Sequence, residues 1–180
     1  MKNIIILLLV LFATAGICFA NNLADSPVAD LAADPTEGYW LSIDEKSGKI
    51  TAGWLMYQAE GKLYGILLSN PDFSPDVLAA RCKDSYPGFP IAGAVSKMPV
   101  VGTPWIFGLS MEKIGEWANG HVVNPEDGRM YKCKIIFRTA DGKKHKTDVL
   151  EMRGEIGLGI GRSQYWQRTD QETASGLWKR

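Results

Sequence analysis

From Glu37 onward the chain is cut into short apolar runs separated by Gly, Asp, Asn and Lys. Runs of this length, rich in Val, Ile, Leu, Tyr and Trp and bounded by turn formers, mark antiparallel strands. The pattern predicts strands over Gly38–Ile43, Ile50–Gln58 and Leu63–Ser69, with turns at 44–48 and at Glu60-Gly61. Met130–Arg138 is the clearest. Tyr131, Cys133, Ile135 and Phe137 share one face, and Lys132, Lys134 and Arg138 the other, with only Ile136 out of step. Side chains alternate across a strand, so this pattern places one face in a core and one in water. Thr147–Ile156 and Arg162–Arg168 follow. Trp105–Leu109 and Gly115–Val123 are weaker strands. Between the third strand and Trp105 the rhythm breaks. Ser74 and Pro75 suit an N-cap and a first helical position, so Asp76–Cys82 is expected as a short helix. Pro87, Pro90 and Pro99 then extend the insertion as a long loop.

About eight strands in one domain predict an all-β fold, a single antiparallel up-and-down β-barrel with a short helix and a long loop inserted after the third strand. Closure removes the unpaired edges that an open sheet would expose. A two-sheet sandwich is the alternative. The second and third strands are apolar on both faces: Ile50, Ala52, Trp54 and Met56 alternate with Leu55 and Tyr57, and Leu63 and Leu67 with Tyr64, Ile66 and Leu68. A strand buried on one side does not need this. Either the helix region packs over the outside, or the interior is an apolar cavity.

The start of the chain differs in kind. Lys2 precedes an apolar run at Ile4–Ala13, and Cys18-Phe19-Ala20 puts small residues before a cut after Ala20. This is the layout of a secretory signal peptide over 1–20, and it predicts a periplasmic or extracellular protein. The alternatives are a membrane anchor, for which the run is slightly short, and lipidation at Cys18, for which Ile17 is a poor neighbour. Residues 21–36 read as an Ala-, Asp- and Pro-rich linker, 37–169 as the barrel domain, and 170–180 as a loose tail. No other stretch approaches a membrane span.

Of 180 residues, 46% are hydrophobic, enough for one core; 20 Lys plus Arg balance 20 Asp plus Glu. A balanced chain gives no electrostatic case for nucleic acid. Export bears on the cysteines, because Cys82 and Cys133 remain after Cys18 leaves. An oxidising compartment predicts a bridge between them, worth roughly 4 kcal/mol on the chain-entropy model, with two buried thiols as the alternative. Only His121 and His145 could complete a zinc set, so no metal and no cofactor are expected.

Catalytic groups are scarce. His145 sits in a basic hairpin, and His121 with Asp127 or Glu116 is the one acid/base arrangement on offer. No Gly-x-Ser-x-Gly or His-Glu-x-x-His motif occurs. Gly157-Leu158-Gly159-Ile160-Gly161-Arg162 departs from the dinucleotide spacing, since Arg162 stands where the third glycine belongs; it reads as a connection between strands. The six tryptophans, Trp40, Trp54, Trp105, Trp117, Trp166 and Trp178, all follow the leader. Trp54, Trp105 and Trp117, with Arg153, Arg162 and Gln164, can line a pocket suited to an amphipathic carboxylate.

Gly38-Tyr39-Trp40 at the first strand and Trp166-Gln167-Arg168 at the last resemble the lipocalin arrangement, in which an Arg from the last strand covers a Gly-x-Trp on the first. A longer set resembles the bacterial family called domain of unknown function 2147: Glu37-Gly38-Tyr39-Trp40, Pro99-Val100-Val101-Gly102-Thr103-Pro104-Trp105, Trp117-Ala118-Asn119-Gly120, 124–131, Arg153-Gly154-Glu155-Ile156-Gly157 and 161–168. The resemblance spans Gly38 to about Arg168. It implies an exported lipocalin-like barrel with Gly38, Trp40, Trp166 and Arg168 as structural residues, and it carries no activity. Two functions compete. One is a non-catalytic binding module holding a small apolar or amphipathic ligand. The other is an envelope structural or interaction protein with a filled core, acting through the surface of its Pro71–Pro104 insertion. An enzyme built on His121 is a third and weaker reading.

Overall fold

In the computed structural model, which describes residues 33–157 and 160–178, the alternating runs form a ring. Its strands are β1 (Gly38–Ile43), β2 (Ile50–Ala59), β3 (Lys62–Ser69), β4 (Pro104–Lys113), β5 (Glu116–Asn124), β6 (Arg129–Arg138), β7 (Val149–Gly157) and β8 (Ile160–Thr169). Each pairs antiparallel with the next, and β8 returns to β1 through Tyr39↔Thr169, Trp40↔Arg168 and Leu41↔Gln167, so the barrel is closed. The fold is the expected up-and-down barrel and not the sandwich. β4 runs further than its apolar pattern indicates, to Lys113, because Ser110 pairs with Lys62 on one side and Ala118 on the other. The expected signal peptide over 1–20, the linker as far as residue 32, Leu158 and Gly159 of the glycine run, and the last two residues lie outside the described residues.

Register and alternation divide the side chains. Trp40 faces Trp54, Met56 faces Gly65, Ile135 faces Met152, and Leu150 faces Trp166, all on the inner side. Trp40, Met56, Leu63, Leu109, Trp117, Ile135, Leu150 and Trp166 are essentially inaccessible to solvent. They fill the half of the barrel nearest the start of β1.

That end is closed by the chain that enters it. Asp34, only 7% exposed, accepts hydrogen bonds from the Thr36 N–H (2.9 Å) and Oγ (2.5 Å) and from the Gly115 N–H (2.9 Å) in the β4–β5 turn. The Trp40 indole N–H donates to the Thr36 carbonyl (3.0 Å). The Arg168 guanidinium carbon lies 4.2 Å from the Trp40 ring centre and 5.9 Å from that of Phe137. Its Nη1 donates to the Glu37 carbonyl at 3.0 Å, and Nη2 to the Pro35 carbonyl. Residues 34–37 therefore cross the barrel end from the β4–β5 turn to the β1–β8 seam, and 33–36 are part of the barrel instead of a linker. Gly38 sits under Arg168 with φ of +112°, and a Cβ there would lie 3.0 Å from Nη1. Both facts favour a residue without a side chain.

The insertion over 70–103 is built differently from expectation. Asp76–Cys82 is not helical. The Ser74 hydroxyl bonds to the Asp76 carboxylate instead of capping a helix. Ala79 N–H donates to the Met98 carbonyl (2.9 Å) and Val100 N–H to that of Val77 (2.8 Å), so the two arms of the insertion pair with each other. This extended pairing satisfies the backbone that a helix would have used. A single 3-10 turn at Val95–Lys97 is its one helical piece. The lobe between the arms packs on the outside of β4: Phe89 lies 6.0 Å from Trp105 and 5.2 Å from Phe107, and Tyr86 and Val95 are buried.

The tail is not loose over its described part. Asp170 caps α1 (Gln171–Ser175) by accepting from the Thr173 N–H. Ala174 is fully buried, and the Ser69 hydroxyl donates to its carbonyl at 2.5 Å. A Cβ on Gly53 would fall 1.8 Å from that carbonyl oxygen, so a bare backbone at Gly53 is the seat of the helix. On the outer face of β2 and β3, Tyr57 and Tyr64 stack at 5.5 Å and remain half-buried.

Three predictions concern the closed end. Gly38→Ala forces both a disfavoured backbone angle and a clash, and should lower unfolding free energy by about 2 kcal/mol. Arg168→Lys keeps the charge but loses the planar fork and the ring contact, and should cost about 1 kcal/mol; urea titration measures both. Burial pushes the Asp34 carboxyl up, but the Gly115 and Thr36 hydrogen bonds outweigh it and hold it below the ordinary 3.8. A depressed carboxyl stabilises the fold fully above its unfolded value and loses that contribution as pH falls through its folded value. Asp34→Asn should therefore cost about 2 kcal/mol at pH 7, and the gap to wild type should narrow below about pH 4. A pH-independent gap would contradict this.

Candidate functional site

The other end of the barrel is open. Trp54 stacks on Trp166 at 5.0 Å with 18° between ring planes, and its other side lines a cleft of about 500 Å³. Trp54, Leu67, Val122 and Met152 are apolar parts of its wall. Phe73, at the start of the insertion, and Pro125, in the β5–β6 turn, stand at its mouth. Volumes of this order hold small organic molecules.

The polar lining falls into two sets. The first is already committed. Ser42 Oγ lies 2.8 Å from Thr51 Oγ1 and 3.2 Å from the Ala52 carbonyl, and it receives the Trp54 indole N–H at 3.2 Å. Gln164 Oε1 receives the Trp166 indole N–H at 3.2 Å. These bonds fix the orientation of both stacked indoles. The second set has capacity to spare. Gln164 Nε2, Asn70 Nδ2 and the Tyr131 hydroxyl make no hydrogen bond among the described residues. Among the described residues Arg162 has one ion-pair partner, Asp44 at 3.9 Å, and its side chain is 64% exposed. Arg162 pairs in register with Gly154, and Gln164 with Met152. Gly154 leaves space where a side chain would stand: a Cβ there would meet Tyr131 Cβ at 3.8 Å and Val122 Cγ1 at 3.9 Å, both ordinary contacts.

Of the residues expected to line a pocket, the structure brings Trp54, Arg162 and Gln164 together at the cleft. It places the other three elsewhere. Trp105 lies under the outer lobe and donates to the Val100 carbonyl at 2.7 Å. Trp117 is buried at the closed end, where its indole helps hold the Asp34 carboxylate in its charged form without making a well-formed hydrogen bond. Arg153 points outward and pairs with Glu155 at 2.6 Å. Composition does not reveal facing or depth: Trp105 and Arg153 face outward, and Trp117 faces inward but at the filled end, with register shifts along β4 and β5 hiding which residues face in. Asn70, Phe73, Tyr131, Met152 and Gly154 were missed. Tyr131 and Met152 were legible as inner-face residues, whereas Asn70 and Phe73 belong to a segment without period.

His121 stands on the outer wall, 5.8 Å from Phe107. Glu116 is five residues along the same strand and is held by Lys113 at 3.1 Å; Asp127 lies at the far turn beside Arg129. The expected acid/base arrangement is not assembled. Among the described residues no group of three His, Cys, Asp or Glu side chains is placed to hold a metal ion.

Cys82 and Cys133 are separate buried thiols, not the expected bridge. Cys82 sits against Gly128, where a Cβ would be 3.0 Å from the Cys82 Cα. Cys133 is five positions further along β6, about 16 Å at the usual strand rise. A disulfide needs Cα atoms within about 7 Å, so the strand itself keeps the pair apart.

Residues 38–168 match the family model described as "Uncharacterized protein conserved in bacteria (DUF2147)". The chain belongs to the DUF2147 family. The matched span begins and ends on Gly38 and Arg168, the two residues that meet at the seam of this DUF2147 barrel. No curated protein matches the chain. Among solved structures, protein HP1028 from Helicobacter pylori, described as belonging to the lipocalin family, aligns with a TM-score of 0.58 and 17% sequence identity. The alignment covers 80% of this chain and 90% of that one. At this identity the likeness concerns the fold, and it agrees with a closed eight-stranded DUF2147 barrel of lipocalin type.

The cysteine arrangement is checkable. Alkylation in denaturant without reductant should label Cys82 and Cys133 both. In the native state burial pushes the Cys133 thiol far above its usual range, so it should resist alkylation until the protein unfolds. A linked Cys82–Cys133 peptide in the digest would contradict the structure.

Proposed function

We propose that this DUF2147 protein is a non-catalytic binding module that holds a small apolar or amphipathic molecule in the open half of its barrel. The observation that carries the reading is the cleft of about 500 Å³ above the Trp54–Trp166 stack, lined by aliphatic and aromatic side chains with a few polar groups at its mouth. A filled core, which the rival interaction-protein reading requires, is found only in the lower half. The lobe of the insertion turns Tyr86, Phe89 and Val95 toward the barrel wall, while Val77, Leu78 and Ile91 stay exposed and would be its contact points under the interaction-protein reading. The leader pattern of Lys2, Ile4–Ala13 and Ala20 supports placing the module outside the cytoplasm.

Gly154 provides the test. Its backbone is not in the left-handed region, and a larger side chain there points into open space. Gly154→Leu should fill the cleft while leaving the melting temperature unchanged or higher. A neutral apolar fluorophore, N-phenyl-1-naphthylamine, should bind the wild-type chain at micromolar concentration and lose at least tenfold in affinity in Gly154→Leu. Equal fluorescence enhancement in both proteins would remove the cleft as the site.

A further inference from the structure

The geometry points to a ligand carrying one carboxylate, seated head-outward, with Arg162 and Gln164 holding the head group. This deepens the reading above and rests on it. Five features of the cleft lead there.

Apart from the solvent-exposed Glu126 carboxylate at the mouth, the spare polar atoms of the lining are donors. Gln164 Nε2 and Asn70 Nδ2 donate only, the Arg162 guanidinium donates only, and the Tyr131 hydroxyl can do so. The acceptors that face them are used already: Gln164 Oε1 by Trp166, Asn70 Oδ1 by the Asp72 N–H at 2.7 Å, and Ser42 Oγ by Trp54. A ligand that satisfies this lining must bring acceptors.

The depth order is also set. Trp54, Leu67 and Met152 lie toward the filled core, so an apolar body goes in first. Arg162 is near the start of β8 and Asn70 just past the end of β3, both at the mouth.

The arginine has room to act. Its register partner is Gly154, so nothing opposite blocks the guanidinium from turning over the cleft. Among the described residues its ion-pair partner is Asp44, at 3.9 Å, with no hydrogen bond between them. Asp44 is itself engaged by the Ser47 N–H and Oγ, both at 2.8 Å. Arg162 can therefore leave it at little cost and form the shorter, two-point contact that guanidinium makes with carboxylate.

The size of the charge follows from the surroundings. Glu126 borders the mouth and Asp44 flanks Arg162, so one guanidinium works against two carboxylates. Repulsion from them scales with ligand charge, so a phosphate dianion would meet about twice that of a single carboxylate. A neutral head group would leave the arginine unused.

The stacked indoles limit reach. The Trp54–Trp166 pair is pinned at both N–H groups, so the floor does not retreat to admit a longer body. The fitting class is a medium-length monocarboxylate amphiphile.

The test compares decanoate with 1-decanol, which share a chain and differ at the head. Titration calorimetry at pH 7.5 and low salt is done on the full chain and three variants. Wild type should bind decanoate at least tenfold more tightly than decanol. Arg162→Gln should erase that preference and leave decanol binding unchanged, which a merely structural arginine would not do. Asp44→Asn should raise the preference two- to threefold by removing the competing carboxylate. Gly154→Leu should weaken both molecules alike. Equal affinity of acid and alcohol in wild type, or a preference that survives Arg162→Gln, overturns the head-group assignment while leaving the cleft as a site. Failure of both molecules to bind overturns the assignment together with the reading on which it rests.

Discussion

Arg168 holds the ring shut. Its guanidinium lies over the Trp40 indole and donates to two carbonyls of the incoming chain, so one side chain joins the last strand, the first strand and the segment that plugs the end. A flat, delocalised cation suits all three roles, because it stacks on an aromatic face while its edge donates in the plane. Everything inside the barrel depends on that closure. Without β8 against β1, Trp40 and Trp166 would face water, and the stack that floors the cleft would lose one of its members.

A closed eight-stranded barrel has only enough room to be filled by its own side chains or to keep a small hollow. This molecule does both, and the division follows from where bulk is placed. Toward the closed end, Trp40, Trp117, Leu150 and Trp166 reach the axis. Toward the mouth, the inward positions carry Ser42, Ala52 and Gly154. The hollow is the consequence of small residues at strand ends, and the same smallness lets polar groups from β8 and the insertion come to its rim.

Much of the fold was legible because it depends on period two. Met130–Arg138 showed its inner face outright, and Gly38-Tyr39-Trp40 with Trp166-Gln167-Arg168 marked the seam. The resemblance to the DUF2147 family added the ring's outline. What was not legible depends on three-dimensional accidents of pairing. Ser74-Pro75 looks like a helix start, yet the arms of the insertion satisfy each other across 77–79 and 98–100. The tail has no apolar period, yet Gly53 gives it a seat. Trp105 and Trp117 carry the right chemistry for a pocket, but β4 slips against β3 around Gly108 and β5 against β6 around Asn119, both at positive φ, and alternation counted across such points fails; Arg153 faces outward from a regularly paired stretch of β7. Two cysteines behind a leader pattern invite a bridge, and the strand between Gly128 and Cys133 keeps them apart.

The β5–β6 turn serves two neighbours. On its inner side Asn124, Pro125 and Glu126 border the cleft. On its outer side Gly128 presses so closely on the lobe that a Cβ would come within 2.3 Å of the Arg81 carbonyl, and Tyr86 donates to the Gly128 carbonyl at 2.7 Å. Arg81 reaches back to the Glu126 carbonyl at 3.3 Å. Five residues of backbone thus separate the interior from the lobe on the outside wall. Were the cleft to hold a guest that favoured one placement of this turn, the lobe would be favoured in the matching placement, and linkage would make the effect reciprocal.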